Sequence, residues 1–209
     1  MWPAEQHHHI LGASPIQLRP TQITVGYAEV REKRREWAAL GRHKRRENLE
    51  HQMFPAVLGP KQKLYIIDHH HLGLALIEER VKKVWVALFD DLSYLTTDVF
   101  WRTMEFRAWT HPYDSSGQRC SFVDVPRRLT DMQDDPYRSL AGLVRVAGGY
   151  AKSTQPFAEF LWADFLRSRV TPSLIRREPR RAVNAGVKLA RTSEARYLPG
   201  WSGSVDDGG

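Results

Sequence analysis

Cysteine is nearly absent. Cys120 stands alone among 209 residues, so no disulfide can close within the chain, and the composition suits a reducing compartment. Long apolar runs are missing as well: no stretch of about 18 apolar residues exists to span a bilayer. The first 20 residues carry Pro3, Glu5, His7 to His9 and Pro15, where a secretory leader would place a basic start and an apolar stretch. The expectation is a cytoplasmic protein with no membrane partner. No internal repeat is present.

What the chain does have is apolar mass and positive charge. Hydrophobic residues make up 42%, with seven tryptophans, which excludes a wholly disordered chain. The length suits one medium domain with ragged ends. Thirty-one Lys and Arg against 24 Asp and Glu give a net charge of +7. Such a field attracts phosphate-bearing partners, although it is modest for a dedicated nucleic-acid binder.

Residues 1–14 lack periodicity and are expected to be a disordered tail. From Pro15 the segment "PIQLRPTQITVGYAEV" alternates at Ile16 and Leu18, and again at Ile23 and Val25, the pattern of an opening strand broken by Gly26. Residues 28–49 are strong helix formers, with Val30, Trp37 and Leu40 near helical spacing and eight Lys or Arg over 31–46. Two readings of that charge stand side by side: a solvated helix face, or a patch for nucleotide or nucleic-acid phosphates. Few aromatics interleave with it, so base stacking gains little support.

Next come "FPAVLGP", "KLYIID", a helix over 69–80 and "KKVWVALFDDL". This is the β-turn-β-α-β order of a small mixed sheet. After Asp91 the pattern turns helical: Thr96, Thr97 or Asp98 can cap a helix carrying Val99, Phe100, Met104 and Phe106. "HPYDSSGQRCSFVDVP" reads as loop. Helices resume at "PYRSLAGLVRVA" and, past Gly148-Gly149, at "PFAEFLWADFLRSR". The second is too apolar for a DNA-reading helix and is built to be buried. Beyond Thr171 the large apolar residues thin out and arginines gather. The expected organisation is a 15–95 α+β core, a helical extension over 96–170 packed on it, and a basic, partly disordered tail over 171–209 with a marginal helix at 179–191.

The segment with most chemical content is "IIDHHHLGLAL". Zinc sites on a helix use His at i and i+4, which share a face. His69, His70 and His71 are adjacent, so on a helix they point about 100° apart. Position favours a different role. Asp68 to His71 occupy a strand-to-helix junction, where the first helical N–H groups lack partners and the macrodipole is positive, so an anion binds there. Asp68 can cap the helix or hold a magnesium ion, while imidazoles donate to phosphate oxygens. Equally, Asp68 can be a cap and the histidines a polar helix start.

In order and wording, "LRPTQITVG" followed by "FPAVLGPKQKLYIIDHHHLGLAL" resembles the ParB/sulfiredoxin superfamily, and more closely its ParB-like nuclease branch. "DDPYRSLAGLVRVAGGYAKSTQPFAEFLWADFLR" resembles the helical extension of that branch. The resemblance implies an α+β fold with a small mixed sheet, helices and a helical C-terminal extension. Relatives carry an Asp-Gly-His-His-Arg type motif in the free serine kinases, Gly-Cys-His-Arg in sulfiredoxin, and Gly-Glu-Arg-Arg in the CTP-binding partition proteins. Asp68 matches the kinase Asp, and His70 and His71 match its histidines. His69 replaces the Gly and Leu72 the Arg, and a leucine cannot neutralise developing charge.

Two functions follow as expectations. The first is a phosphate- or nucleotide-binding domain, with magnesium-assisted phosphoryl transfer or phosphodiester hydrolysis as its chemistry. Asp68 would hold Mg2+, His69, His70 and His71 would bind phosphate with Arg34 and Arg35, and Glu29 would act as base, with Glu32 and Glu36 as competitors. The second is a non-catalytic DNA-associated module. It would set Lys33, Arg34, Arg35, Arg42, Lys44, Arg45 and Arg46 against the nucleic-acid backbone.

Overall fold

A computed structural model describes residues 9–203, which divide into two units between Asp134 and Asp135. The N-terminal unit is built on a four-stranded mixed sheet. Its strands are β1 (His9–Ala13), β3 (Phe54–Gly59), β4 (Lys63–Ile66) and β5 (Val84–Asp91), in the order β1-β5-β3-β4. β3 runs parallel to β5, while β1 and β4 pair antiparallel with β5 and β3.

Alternation along the strands gives the sheet two apolar faces. On one, Phe54, Ala56, Ile66, Val84 and Val86 meet helices α1 (Tyr27–Ala39) and α3 (His70–Glu78) through Val30, Trp37, Leu74, Ala75 and Leu76. On the other, Val57 and Tyr65 meet α4 (Thr97–Phe106) through Phe100, Trp101 and Met104. Between α1 and β3 lies α2 (Arg42–His51). A two-residue strand β2 (Thr24–Val25) pairs parallel with β6 (Gln133–Asp134) and ties the end of this unit back to its beginning.

The C-terminal unit is helical: α5 (Pro136–Val146), α6 (Ala158–Arg167), α7 (Pro172–Arg177) and α8 (Pro179–Ala190). Trp162, fully buried, stacks on Tyr150 at 4.0 Å among Leu140, Val144 and Leu166. As the sequence implied, α6 presents its aromatics to a core.

Five expectations need correction. The tail expected over 1–14 contains β1, an edge strand held by β5; the part before residue 9 lies outside the described residues. The opening strand at 15–26 is a 3-10 turn (Pro15–Gln17) and the brief β2, because Pro15 and Pro20 cannot donate to a ladder. The single helix at 28–49 is two, since Leu40 turns extended to reach the core and Gly41 opens α2. α4, assigned to the extension, belongs to the N-terminal unit through its aromatic contacts with the sheet. Finally, the tail expected to be partly disordered carries α7 as well as the helix expected at 179–191, which is α8: Ala182, Gly186 and Ala190 are buried and small, so α8 closes on α5 without large apolar side chains. Among the described residues no helix is long and apolar enough to cross a membrane.

Candidate functional site

The strand-to-helix junction forms where β4 ends and α3 begins. Asp68 is exposed, and its Oδ1 accepts the N–H of His69 at 2.6 Å, so it holds the turn before the helix. His69 is the N-cap and sits in the left-handed region at φ 65°, ψ 24°. That conformation costs an L-residue with a Cβ roughly 1–2 kcal/mol and costs glycine almost nothing. The motif that the sequence resembles has glycine at this very place. His69 therefore keeps the backbone shape while adding a ring, which meets the Phe54 ring edge-on at 5.9 Å. Its Nδ1 is buried without a hydrogen-bond partner.

His70 and His71 have internal work. His70 is 4% exposed, and its Nε2 accepts the backbone N–H of Thr21 at 3.1 Å. Burial pushes this imidazole down to about 3, against the opposing pull of Asp68 and with smaller help from His71 and His69. It is neutral at physiological pH. His71 Nε2 accepts the N–H of Gly26 at 2.9 Å, with Glu29 Oε2 3.8 Å away. The two histidines thus pin the segment before α1 to the start of α3. Thr21 is held further by its hydroxyl on Ile66 O and by Thr110 Oγ1 and His111 N–H on its own carbonyl.

The starts of α1 and α3 therefore meet here, and they differ. At α1, the N–H of Gly26 goes to His71 and that of Tyr27 to Asp134 Oδ1 at 2.8 Å, so the helix start is filled from within. At α3, no side chain caps the helix, and among the described residues the N–H groups of His70 and Leu72 have no acceptor. Unsatisfied first-turn donors and a positive helix end favour an anion.

The expected basic partners lie elsewhere. The Arg34 guanidinium pairs with Glu78 and Glu79 at the far end of α3, about 12 Å along the helix from His70. Arg35 pairs with Glu32, Lys33 with Glu36, and Arg46 with Glu50. Arg45 donates to the carbonyls of Trp37 and Ala38 and lies over the Trp37 ring. Arg42, Lys44 and Arg45 of the expected set form no ion pair among the described residues, and of the three only Arg45 has hydrogen-bond acceptors there. The basic face is largely a ladder of local ion pairs on α1 and α2. Among the described residues no three His, Cys, Asp or Glu side chains gather as a metal-ligand group. Asp68 is a single exposed carboxylate, which suits magnesium only as an ion shared with a ligand phosphate and water.

Thr21 and Gly26, the donors that occupy the two histidines, escaped sequence reasoning. The available signal was Thr21 itself: it follows Pro20 in an irregular stretch, and a buried backbone donor there needs an acceptor from somewhere.

Fold and junction together define an α+β protein of ParB-like class with a helical C-terminal region. The family described as "Putative ParB-like nuclease" matches residues 13–168, and the chain belongs to it. The crystal structure of protein Atu1540 from Agrobacterium tumefaciens is similar at 44% identity, with a TM-score of 0.87, covering 93% of this chain and 98% of that one. No curated protein matches.

Proposed function

We propose that the N-terminal unit binds a phosphate-bearing ligand, a nucleotide in the first instance, at the start of α3. The observation that carries this reading is the pairing of an uncapped helix start with a buried, unpartnered imidazole nitrogen on His69 at the same place. The N–H groups of His70 and Leu72 would donate to phosphate oxygens, with His69 Nδ1 beside them. His70 and His71 contribute through their backbone and their hold on Thr21 and Gly26, because their Nε2 lone pairs are already used. Asp68 would hold a magnesium ion shared with the ligand, and that ion would neutralise phosphate charge. Phosphoryl transfer or phosphodiester hydrolysis is the chemistry suited to such a site. Glu29 stands as the base, beside His71.

The test is a thermal-shift panel of nucleotides with and without magnesium, run on the wild type and on Asp68→Ala. A nucleotide that raises Tm in a magnesium-dependent manner, with the magnesium dependence lost in Asp68→Ala, supports the reading. If no nucleotide shifts Tm while DNA does, the reading fails. The DNA-associated alternative then rests on Arg42 and Lys44, the α2 cations with neither an ion pair nor a hydrogen-bond acceptor among the described residues.

A further inference from the structure

The net charge is not spread evenly along the chain. Seven Lys or Arg and two Glu fall within 171–203, so this stretch of the C-terminal unit has an excess of five cations out of a net charge of +7. Helix α8 itself contains no acidic residue. In the N-terminal unit the cations of α1 and α2 are largely neutralised by neighbouring glutamates. Here the two glutamates are already taken, Glu178 by Arg181 and Glu194 by Arg169. Arg180, Lys188 and Arg191 form no ion pair among the described residues.

Packing decides which way these charges face. Ala182, Gly186 and Ala190 recur every four residues and are buried, with α8 against α5. A Cβ on Gly186 would come within 2.4 Å of Val144 Cγ2, so the two helices lie in close contact there. Val183, Val187 and Leu189 flank that seam and pack on the same core. The opposite side of α8 is a row of Arg180, Asn184, Lys188 and Arg191, all exposed and spaced to share one face. At 1.5 Å per residue the row runs about 16 Å. Arg191 donates to Gly148 O at 3.4 Å, an uncharged acceptor that leaves its charge unopposed.

We propose that this row of α8 is a docking face for the phosphate backbone of double-stranded DNA. A fixed line of cations without counter-charges complements a line of phosphates, and guanidinium forks match phosphate oxygens in pairs. Its length suits a duplex. The major groove of B-form DNA is about 12 Å wide and admits a helix, so a row of about 16 Å sets Arg180 and Arg191 at the two rims with Asn184 and Lys188 between them. The major groove of duplex RNA is too deep and narrow for this. No aromatic lies in the row to stack an unpaired base. The apolar side of α8 is turned to the core, so the helix offers a membrane surface nothing to bury. The face shares no residue with the start of α3, and it stands or falls apart from the nucleotide reading.

Arg180 and Lys188 are exposed and alanine suits a helix, so the double variant Arg180→Ala/Lys188→Ala leaves the packing of α8 intact. Binding of the full chain to a labelled DNA duplex of arbitrary sequence, followed by anisotropy over a range of salt, reads the face directly. Wild type should bind with an affinity that falls steeply as salt rises. The double variant should bind roughly tenfold more weakly at low salt, with the salt slope reduced by about two contacts. Arg180→Lys with Lys188→Arg should keep the wild-type slope, which separates lost charge from damage to the helix. Unchanged affinity in Arg180→Ala/Lys188→Ala overturns the proposal, as does wild type that binds no duplex. Loss of all binding in Arg42→Ala/Lys44→Ala also overturns it, since the contact then belongs to α2. Tighter binding at the same salt to duplex RNA, a single strand, a polyglutamate peptide or vesicles rich in anionic lipid overturns the assignment to duplex DNA.

Discussion

The N–H of Thr21 donates to Nε2 of His70 at 3.1 Å, across 49 residues of sequence, inside a core where the imidazole is 4% exposed. A neutral histidine therefore serves as a backbone acceptor, holding the segment before α1 against the start of α3. Replacing it by leucine fills most of the volume and strands the Thr21 donor. The cost of an unsatisfied buried donor is about 1–3 kcal/mol. Urea denaturation of His70→Leu at neutral pH should show a stability loss of that order. Wild-type stability would refute the acceptor role.

The same bond predicts an acid limit. In the unfolded chain His70 titrates near the ordinary value of 6.5; in the folded chain burial holds it near 3. Between those values the unfolded state binds the extra proton, so stability falls as pH falls. The contribution is whole above about pH 6.5 and declines toward pH 3, with roughly 2 kcal/mol gone by pH 5. Denaturation midpoints taken from pH 7 to 4 check this. The His70→Leu variant should have a flatter pH profile than wild type over that window.

His69 separates backbone from side chain. Glycine relieves a left-handed conformation worth roughly 1–2 kcal/mol, and loses an edge-on ring contact with Phe54 worth about 0.5–1.5 kcal/mol. These nearly cancel. His69→Gly should fold with stability within about 1 kcal/mol of wild type, yet lose most of any nucleotide-induced shift in Tm. A full nucleotide shift in a stable His69→Gly protein would remove the imidazole from the proposed site.

Much of the N-terminal unit was legible because its pattern is local. "FPAVLG", "KLYI" and "VWVALFDD" carry their strand character in consecutive residues, and α3 in its apolar run. β2 and β6, two residues each, have no local signature and exist through pairing across more than 100 residues. α8 was placed within a residue, at 179–191, but its packing was not legible, because its buried positions, Ala182, Gly186 and Ala190, are small. At the junction, the helix start was legible and the jobs of His70 and His71 were not. Those jobs are set by Thr21 and Gly26, 49 and 45 residues away. The ion pairs of the α1 arginines were hidden for a similar reason: charge count shows cations, whereas pairing with Glu32, Glu78 and Glu79 is a matter of geometry.

Gly73 tests the packing of α3 on the sheet. In an exposed helix alanine would be favoured over glycine by about 1 kcal/mol. Here a Cβ would come within 2.8 Å of Leu129 Cδ1 and 3.3 Å of Phe54 Cε1. Overpacking of this kind costs about 1–3 kcal/mol, so the steric cost outweighs the propensity gain. Gly73→Ala should lower stability by about 1 kcal/mol, seen as a Tm drop of roughly 2–4 °C. A rise in Tm would mean that Leu129 gives way at little cost.

In the C-terminal unit the decisive pair is Asp135 and Arg167. Asp135, 1% exposed, caps α5 by accepting the Tyr137 N–H at 2.9 Å, and both its oxygens receive Arg167, at 3.2 and 2.9 Å. Arg167 also lies over the Tyr137 ring at 4.9 Å. Removing the carboxylate deletes the cap, worth about 1 kcal/mol, and leaves a half-buried guanidinium with only the more exposed Asp164 as counter-charge. Breaking such a pair costs about 3–5 kcal/mol when fully buried; with Asp164 still present the lower end applies. Asp135→Ala should therefore destabilise the chain by about 3 kcal/mol, whereas Asp135→Asn, which keeps an acceptor for Tyr137, should lose less. Limited proteolysis locates the effect: cleavage in Asp135→Ala should begin within 135–203 while 9–134 stays protected. Early cleavage in the N-terminal unit instead would show that the pair supports more than the helices it joins.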